Sequence, residues 1–290
     1  MAELKTINDA LQWAKSILAV HDRDRNVGEL LLMHICDCSR AVLLANLYLP
    51  LPEQDSIKFI ELLELHAKKG VPVQHLIGTE VFWGRKFIVN EHVLVPRMET
   101  EELVDYAKRV IKRHFSDRGQ LKVADIGTGS GIIAVTMKLE CPTATVHAVD
   151  ISNNALMVAQ KNAAQLGAEI NFYQGNLVEP LIDSGIQVDI LLANLPYIPI
   201  GDRERLQDVV RDYDPDTALF SGEDGLDLYR EMIPRLSSVL FPKALIGFEI
   251  GSGQGVIIKQ LLSDVFPTAE ITIMNDINGN ERMVFARKDF

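Results

Sequence analysis

Downstream of Lys122 the chain alternates short apolar runs with helical stretches, and that alternation restricts the possible folds more than any other feature of the sequence. Strands are expected at residues 122–126, 145–149, 170–173, 188–193 and 244–250, with helices at 131–138, 154–166, 226–240 and 255–262. Strands that alternate with helices form a largely parallel sheet covered on both faces, because each crossover lays its helix on the sheet. Two last strands, 271–275 and 282–286, flank Asn278-Gly279-Asn280 and should close as an antiparallel hairpin at one edge. The expected class is α/β. With 47% apolar residues the chain has the material for such a core, and its 290 residues exceed the usual size of one domain.

The extra length lies at the front. Between Thr6 and Lys69 apolar residues recur at helical spacing, first Leu11, Ala14, Ile17 and Leu18, then Leu30, Leu31, His34 and Ile35, then Ile57, Ile60, Leu63 and Leu65. Asn26 and Asp55 are the expected caps of the second and last helices, and Pro50 and Pro52 punctuate the chain between them. His34 falls on the apolar side of its helix with no second ligand spaced to join it, so a hydrogen-bonded core position is expected. Pro72 and Gly78 break the helical pattern, and residues 81–89 then read as two short strands around Gly84. The expected organisation is a helical bundle at 1–70, a β-hairpin linker at 71–96 and a larger α/β domain at 97–290.

The first strand of the larger domain runs into Asp125-Ile126-Gly127-Thr128-Gly129-Ser130-Gly131, and a helix follows at once. Closely spaced glycines let a ligand approach the backbone, and a helix amino end offers unpaired amide donors. The second strand ends in Asp150, about the distance downstream at which an acid grips the two hydroxyls of a ribose. Asp125 ahead of the glycines would repel a pyrophosphate and suits instead the ammonium of an amino-acid tail, which S-adenosylmethionine carries beside its ribose. Asn176 and Leu177, after the third strand, stand where an adenine ring would be flanked. The bland reading of the loop is a tight strand-to-helix turn.

After the apolar run 188–193 comes Asn194-Leu195-Pro196-Tyr197, a polar amide, a rigid ring and an aromatic at the carboxyl end of a buried strand. Ligands of open α/β sheets bind at such ends, although Asn-x-Pro is also ordinary turn composition. An amide nitrogen is a poor nucleophile, since its lone pair is delocalised into the carbonyl. A site can hold both of its N–H groups with fixed acceptors and present the lone pair in line with a methyl–sulfonium bond. The side-chain oxygen of Asn194 and the carbonyl of Leu195 are the expected acceptors. Pro196 would fix the turn, and the face of Tyr197 would pack on the amide plane. This chemistry needs no metal.

These residues carry a resemblance. The loop at 125–131, Asp150 and the tetrapeptide resemble the donor loop, ribose acid and catalytic motif of Rossmann-like class I methyltransferases that act on nitrogen. The flanks narrow it: Pro72-Val73-Gln74-His75-Leu76-Ile77-Gly78, Phe82-Trp83-Gly84-Arg85-Lys86-Phe87, Val95-Pro96-Arg97-Met98-Glu99-Thr100-Glu101, Tyr213-Asp214-Pro215 with Ala218-Leu219-Phe220-Ser221-Gly222, and Asp224-Gly225-Leu226 with Tyr229-Arg230 are similar to those of bacterial peptide chain release factor N5-glutamine methyltransferases. The resemblance implies S-adenosylmethionine as methyl donor, S-adenosylhomocysteine as product, and as substrate the glutamine of the Gly-Gly-Gln loop in class I release factors. It implies donor contacts from Asp125, Gly127, Thr128, Gly129, Ser130, Gly131, Asp150, Asn176, Leu177 and Asn194. Substrate contacts would come from Asn194, Leu195, Pro196, Tyr197 and Arg97, and the bundle and hairpin would dock the folded partner. Leu195 and Met98 replace prolines usual in the family; a backbone carbonyl survives the change at 195. Leu195 is also normal in the tetrapeptide of ribosomal RNA adenine dimethylases.

That similarity supplies the rival, an N6-adenine methyltransferase acting on ribosomal RNA or DNA; a glutamine methyltransferase of a ribosomal protein and a donor-binding scaffold without turnover are the others. Aspartate and glutamate outnumber lysine and arginine by 40 to 29, a formal charge of -11, which opposes stable attachment to a phosphate backbone. Three cysteines, Cys36, Cys38 and Cys141, lack a histidine spaced to complete a metal site and read as buried thiols of a reducing compartment. The first 15 residues lack the apolar core of a signal peptide, and no stretch is long and apolar enough to span a bilayer. A cytoplasmic monomer is expected.

Overall fold

The computed structural model describes residues 4–116 and 118–290. The chain divides into two units, Met1–Thr79 with Gln207–Tyr213, and Glu80–Leu206 with Asp214–Phe290.

The first unit is built from α1 (Ile7–Val20), α2 (Val27–Ile35), α3 (Arg40–Ala45), α4 (Glu53–Lys69) and α5 (Val73–Ile77). Thr6 opens α1 with a capping box, its hydroxyl accepting from Asp9 N–H at 3.1 Å while the Asp9 carboxylate accepts from Thr6 N–H at 3.0 Å. Ile7, Ala10, Ala14 and Leu18 then form one buried stripe, which packs with Leu31, Leu32, Phe59 and Leu63. Several local expectations are corrected. Asn26 stands at the start of α2 without a side-chain cap bond, and Asp55 lies inside the first turn of α4, which Pro52 opens. Pro72 and Gly78 do not merely break a helix: they bound the short α5, the proline entering it and Gly78 leaving it at φ +78°. His34 is exposed, since Val27, Leu31 and Leu32 take the inner face of α2. Among the described residues of this unit the buried histidine is His66, whose Nδ1 lies 2.8 Å from the Val71 carbonyl. Burial lowers its pKa.

The segment Gln207–Tyr213 reaches this unit from far downstream. Arg23 grips Asp208 through two bonds of 2.5 and 2.6 Å, and the Tyr213 hydroxyl donates to the Lys69 carbonyl at 2.8 Å.

The second unit opens with the hairpin strands β1 (Thr79–Phe82) and β2 (Arg85–Ile88), then α6 (Glu99–His114), β3 (Lys122–Ile126), α7 (Ile132–Glu140), β4 (Thr145–Asp150), α8 (Asn153–Leu166), β5 (Asn171–Gln174), α9 (Glu179–Asp183) and β6 (Val188–Ala193). It closes with α10 (Asp216–Leu219), α11 (Asp227–Met232), β7 (Leu240–Glu249), α12 (Gly255–Val265), β8 (Glu270–Asn275) and β9 (Glu281–Lys288). The seven main strands lie in the order β5-β4-β3-β6-β7-β9-β8. Strands β3 to β7 are parallel, while β9 is antiparallel to both β7 and β8. The single helix expected at 226–240 is instead α11, a 3-10 stretch Ile233–Ser238 and the first residue of β7. Pro234 has no N–H to give, so the α pattern tightens there. All six residues of β6 are buried, as expected of a central parallel strand. Among the described residues no helix is long and apolar enough to cross a membrane. The three cysteines are free and only partly buried.

Candidate active site

Strand order reverses between β3 and β6, and register places their ends level. Ile126 pairs with Ala193 on one side and with Val149 on the other. The residues that follow, Gly127, Asn194 and Asp150, therefore leave the sheet side by side at the switch point where α/β folds bind ligands. Around them lies a cavity of about 420 Å³ lined by Gly127, Thr128, Gly129, Ser130, Asp150, Asn176, Leu177, Asn194, Leu195, Pro196 and Arg97.

In the glycine loop, the N–H groups of Gly127 and Thr128 both donate to the Val149 carbonyl, at 2.9 and 3.0 Å. Gly129, at φ +55°, has no neighbouring atom nearer than 4.0 Å to the position a Cβ would take, so bare backbone faces the cavity. Asp150 accepts from Gly129 N–H at 2.8 Å and from Ser152 N–H at 2.9 Å, one bond to each oxygen. Burial raises its pKa against those bonds. Each oxygen keeps a lone pair, which suits two hydroxyls of a ribose. Ile151 and Leu177 supply apolar walls, and the Asn176 amide is tied to Glu231 at 2.6 Å. The set fits an adenosyl group bearing a charged tail.

Two residues of the loop stand elsewhere than expected. Asp125 does not line the cavity. It is fully buried, and one oxygen accepts from the Thr128 hydroxyl at 2.6 Å and from Ala134 N–H at 3.0 Å. Burial pushes its carboxyl up to about 7. It ties the loop to the start of α7 from beneath. Gly131 is likewise off the wall: a Cβ there would lie 3.1 Å from that of Ala159, so this glycine lets α7 pack on α8.

On the other side of the cavity, Asn194 Nδ2 donates to Thr100 Oγ1 at 3.2 Å, and the Thr100 hydroxyl donates to Glu249 Oε2 at 2.7 Å. The Asn194 amide also favours the Glu249 anion and so works against the rise that burial gives its pKa. The Asn194 amino group is thus committed to Thr100 of α6, which leaves Oδ1 as the amide's outward acceptor. Leu195 N–H meets the Tyr229 hydroxyl at 3.4 Å, and that hydroxyl donates to the Glu249 carbonyl at 2.5 Å. The Leu195 side chain is buried against Gly127. Tyr197 is not on this wall. Its ring borders a second, shallower cavity, with the Arg282 guanidinium 3.4 Å from its hydroxyl and Gln254 Nε2 donating to its carbonyl at 2.9 Å. Burial pushes its phenol up to about 12. Arg97 sits at the rim, half exposed, 3.3 Å from Asp214. Burial pushes the Asp214 carboxyl up to about 6, which Arg97 partly opposes.

A family profile described as the methyltransferase small domain matches residues 96–209, and one described as the PrmC N-terminal domain matches residues 9–78. The release factor glutamine methyltransferase of Bacillus cereus is 45% identical over 98% of this chain and 99% of its own length. That of Bacillus subtilis is 44% identical over 98% of both. The chain belongs to the release factor glutamine methyltransferases. The catalytic domain of hMettl16, solved in complex with a MAT2A 3′UTR hairpin, superposes with a TM-score of 0.55 at 14% identity, over 82% of this chain and 81% of that one. That likeness concerns the class I methyltransferase fold alone.

In this member of the release factor glutamine methyltransferases, sequence reasoning passed over Thr100, Glu249, Tyr229 and Asp214 as contributors to the site. Glu249 had a signal: an acid at the end of a strand otherwise filled by Ala, Leu, Ile, Gly and Phe. Such a residue is buried by its neighbours and must find partners. Thr100 lay in the family-like stretch 95–101, but its link to Glu249 spans 149 residues and no local pattern shows it.

Proposed function

We propose that this enzyme transfers a methyl group from S-adenosylmethionine to the side-chain nitrogen of the glutamine in the Gly-Gly-Gln loop of class I peptide chain release factors. The observation that carries the reading is the direction of the Asn194 amide. Its amino group is spent on Thr100, so the oxygen is the atom offered to a substrate. Asn194 Oδ1 and the Leu195 carbonyl accept the two N–H groups of the substrate amide, which holds its nitrogen lone pair toward the donor side. Pro196 fixes the backbone between them. When bound, S-adenosylmethionine supplies a methyl group on a positively charged sulfur, electrophilic enough to need no metal. Gly127, Thr128, Gly129 and Ser130 cradle its tail, Asp150 holds the ribose hydroxyls, and Asn176 and Leu177 flank the base. Asp125 acts on the tail through the loop it anchors. The proton released on methylation leaves to water, because the nitrogen is strongly acidic once alkylated.

We assign recognition of the folded release factor to the bundle at 1–70 and the hairpin region at 71–96, with residues 97–290 performing the transfer in a cytoplasmic monomer. The charge of -11 supports a protein acceptor over nucleic acid. Incubation with labelled S-adenosylmethionine and, in parallel, unmethylated release factor, ribosomal RNA or ribosomal proteins tests this. Label should enter the release factor, and its entry into RNA or a ribosomal protein instead would refute the assignment.

A further inference from the structure

A side-chain amide has two nearly isosteric ends, and only one of them accepts hydrogen bonds. An asparagine that serves as an acceptor must therefore be prevented from turning over. The residues behind Asn194 do this by a fixed order of donors. Glu249, 1% exposed at the end of β7, can only accept as an anion. Thr100, wholly buried on α6, has one hydroxyl proton and gives it to Glu249 at 2.7 Å. The Thr100 oxygen is then left with lone pairs alone toward Asn194, 3.2 Å away. That oxygen accepts from the Asn194 amino group. A turned amide would set its oxygen against the lone pairs of a buried hydroxyl, where such repulsion is strong.

Glu249 also reaches the neighbouring residue. Its main-chain carbonyl takes the Tyr229 hydroxyl at 2.5 Å, and that hydroxyl oxygen accepts from Leu195 N–H at 3.4 Å. One residue thus braces both acceptors of the tetrapeptide, Asn194 through its side chain and Leu195 through its main chain.

We infer that Thr100 and Glu249 are positioning residues that hold the Asn194 amide with its oxygen toward the substrate glutamine. This rests on the reading of Asn194 as a substrate acceptor. Neither residue need touch the substrate; they set which end of Asn194 does.

The test compares Thr100→Val, Thr100→Ser, Glu249→Gln and Asn194→Ala in the full chain, with release factor as acceptor and donor affinity measured by calorimetry. Thr100→Val, which keeps the shape and removes the hydroxyl, should lower kcat about 10- to 100-fold. The acceptor KM should change less, and S-adenosylmethionine should bind within about threefold of the parent. Thr100→Ser restores the hydroxyl and should return kcat to within about threefold. Glu249→Gln can donate to the Thr100 oxygen and so free its hydroxyl proton for a turned Asn194 amide; it should fall as Thr100→Val does, which carries the test if the valine variant does not fold. In the double variant Thr100→Val with Asn194→Ala, the loss should be no greater than for Asn194→Ala alone. Parental kcat in Thr100→Val or Glu249→Gln, losses that multiply in the double variant, or failure of serine to rescue would each overturn the inference. If Asn194→Ala itself turned over normally, the fault would lie in the acceptor reading beneath it.

Discussion

Gly225→Ala should uncouple methyl transfer from donor binding. Gly225 has φ +80°, and an ideal Cβ there would stand 2.0 Å from the Tyr197 carbonyl oxygen, 2.7 Å from its carbon and 2.7 Å from Gln254 Nε2. Cβ contacts essentially never fall below 3.0 Å, so the end of the tetrapeptide must retreat by about 1 Å. That carbonyl is backbone held by Gln254 at 2.9 Å and cannot swing aside like a side-chain tip. Left-handed backbone at a non-glycine residue costs about 1–2 kcal/mol, and forcing atoms into a packed site costs about 1–3 kcal/mol more. Displacement of a catalytic group by about 1 Å costs on the order of 100-fold in rate. Gly253 is the control, since it has φ +85° with no atom within 4 Å of the added carbon. Gly253→Ala should show the backbone strain alone. Chemical denaturation would measure both stabilities, initial rates on release factor would measure kcat, and calorimetry would measure donor binding. The expected pattern is a stability loss about 1–3 kcal/mol larger for Gly225→Ala than for Gly253→Ala, with kcat down on the order of 100-fold only in Gly225→Ala. Equal stability and equal kcat in the two variants would refute the claim that this contact holds the tetrapeptide in place.

Asp150→Ala removes a charged acceptor of two hydroxyls and should weaken S-adenosylmethionine binding about 10- to 100-fold, since hydrogen bonds to charged groups are worth about 1.5–3 kcal/mol; unchanged affinity by calorimetry would count against the ribose assignment. Glu249 is faced by Thr100 and Glu99 of α6, Asn194 and Tyr197 after β6, Tyr229 of α11 and Arg282 of β9, and burial pushes its carboxyl up to about 7. Only its anion is restricted to accepting from Thr100, so kcat should rise about tenfold from one pH unit below that value to one above it, and Glu249→Gln should flatten the profile. In the bundle, Arg23 holds the Asp208 carboxyl down to about 2 from 3.8, so the stability it gives is present above pH 3.8 and is lost as pH falls through 2. Asp208 is partly solvated, and Arg23→Met should therefore cost only about 1 kcal/mol near neutral pH, the melting temperatures of the two proteins converging toward pH 2.

The sheet was legible because its central strands are buried on both faces and read as apolar runs, with β3 and β6 falling where the pattern placed them. Asp150 and Asn194 were legible as cavity residues because a switch-point cavity opens at strand ends, a position that local sequence marks. What failed to show depended on distance or competition. Thr100 and Glu249 meet across 149 residues. Asp125 looked like a ligand because its place in the motif is visible, while the burial that turns its carboxylate under the loop is a property of the packed sheet. In α2 the helical period admitted His34 and Leu30 to the apolar side, yet Val27, Leu31 and Leu32 filled the available core. The passage of Gln207–Tyr213 to the first unit follows from Arg23 and Asp208, whose pairing no local pattern announces.

The central claim is that Asn194 presents a substrate amide nitrogen for methylation, and fragment mass spectrometry of release factor treated with this enzyme and S-adenosylmethionine tests it most directly. One methyl group is expected on the side-chain nitrogen of the Gly-Gly-Gln glutamine with the parent enzyme and almost none with Asn194→Ala, although that variant still binds the donor. A methyl group on any other atom, or undiminished methylation of that glutamine by Asn194→Ala, would contradict that claim.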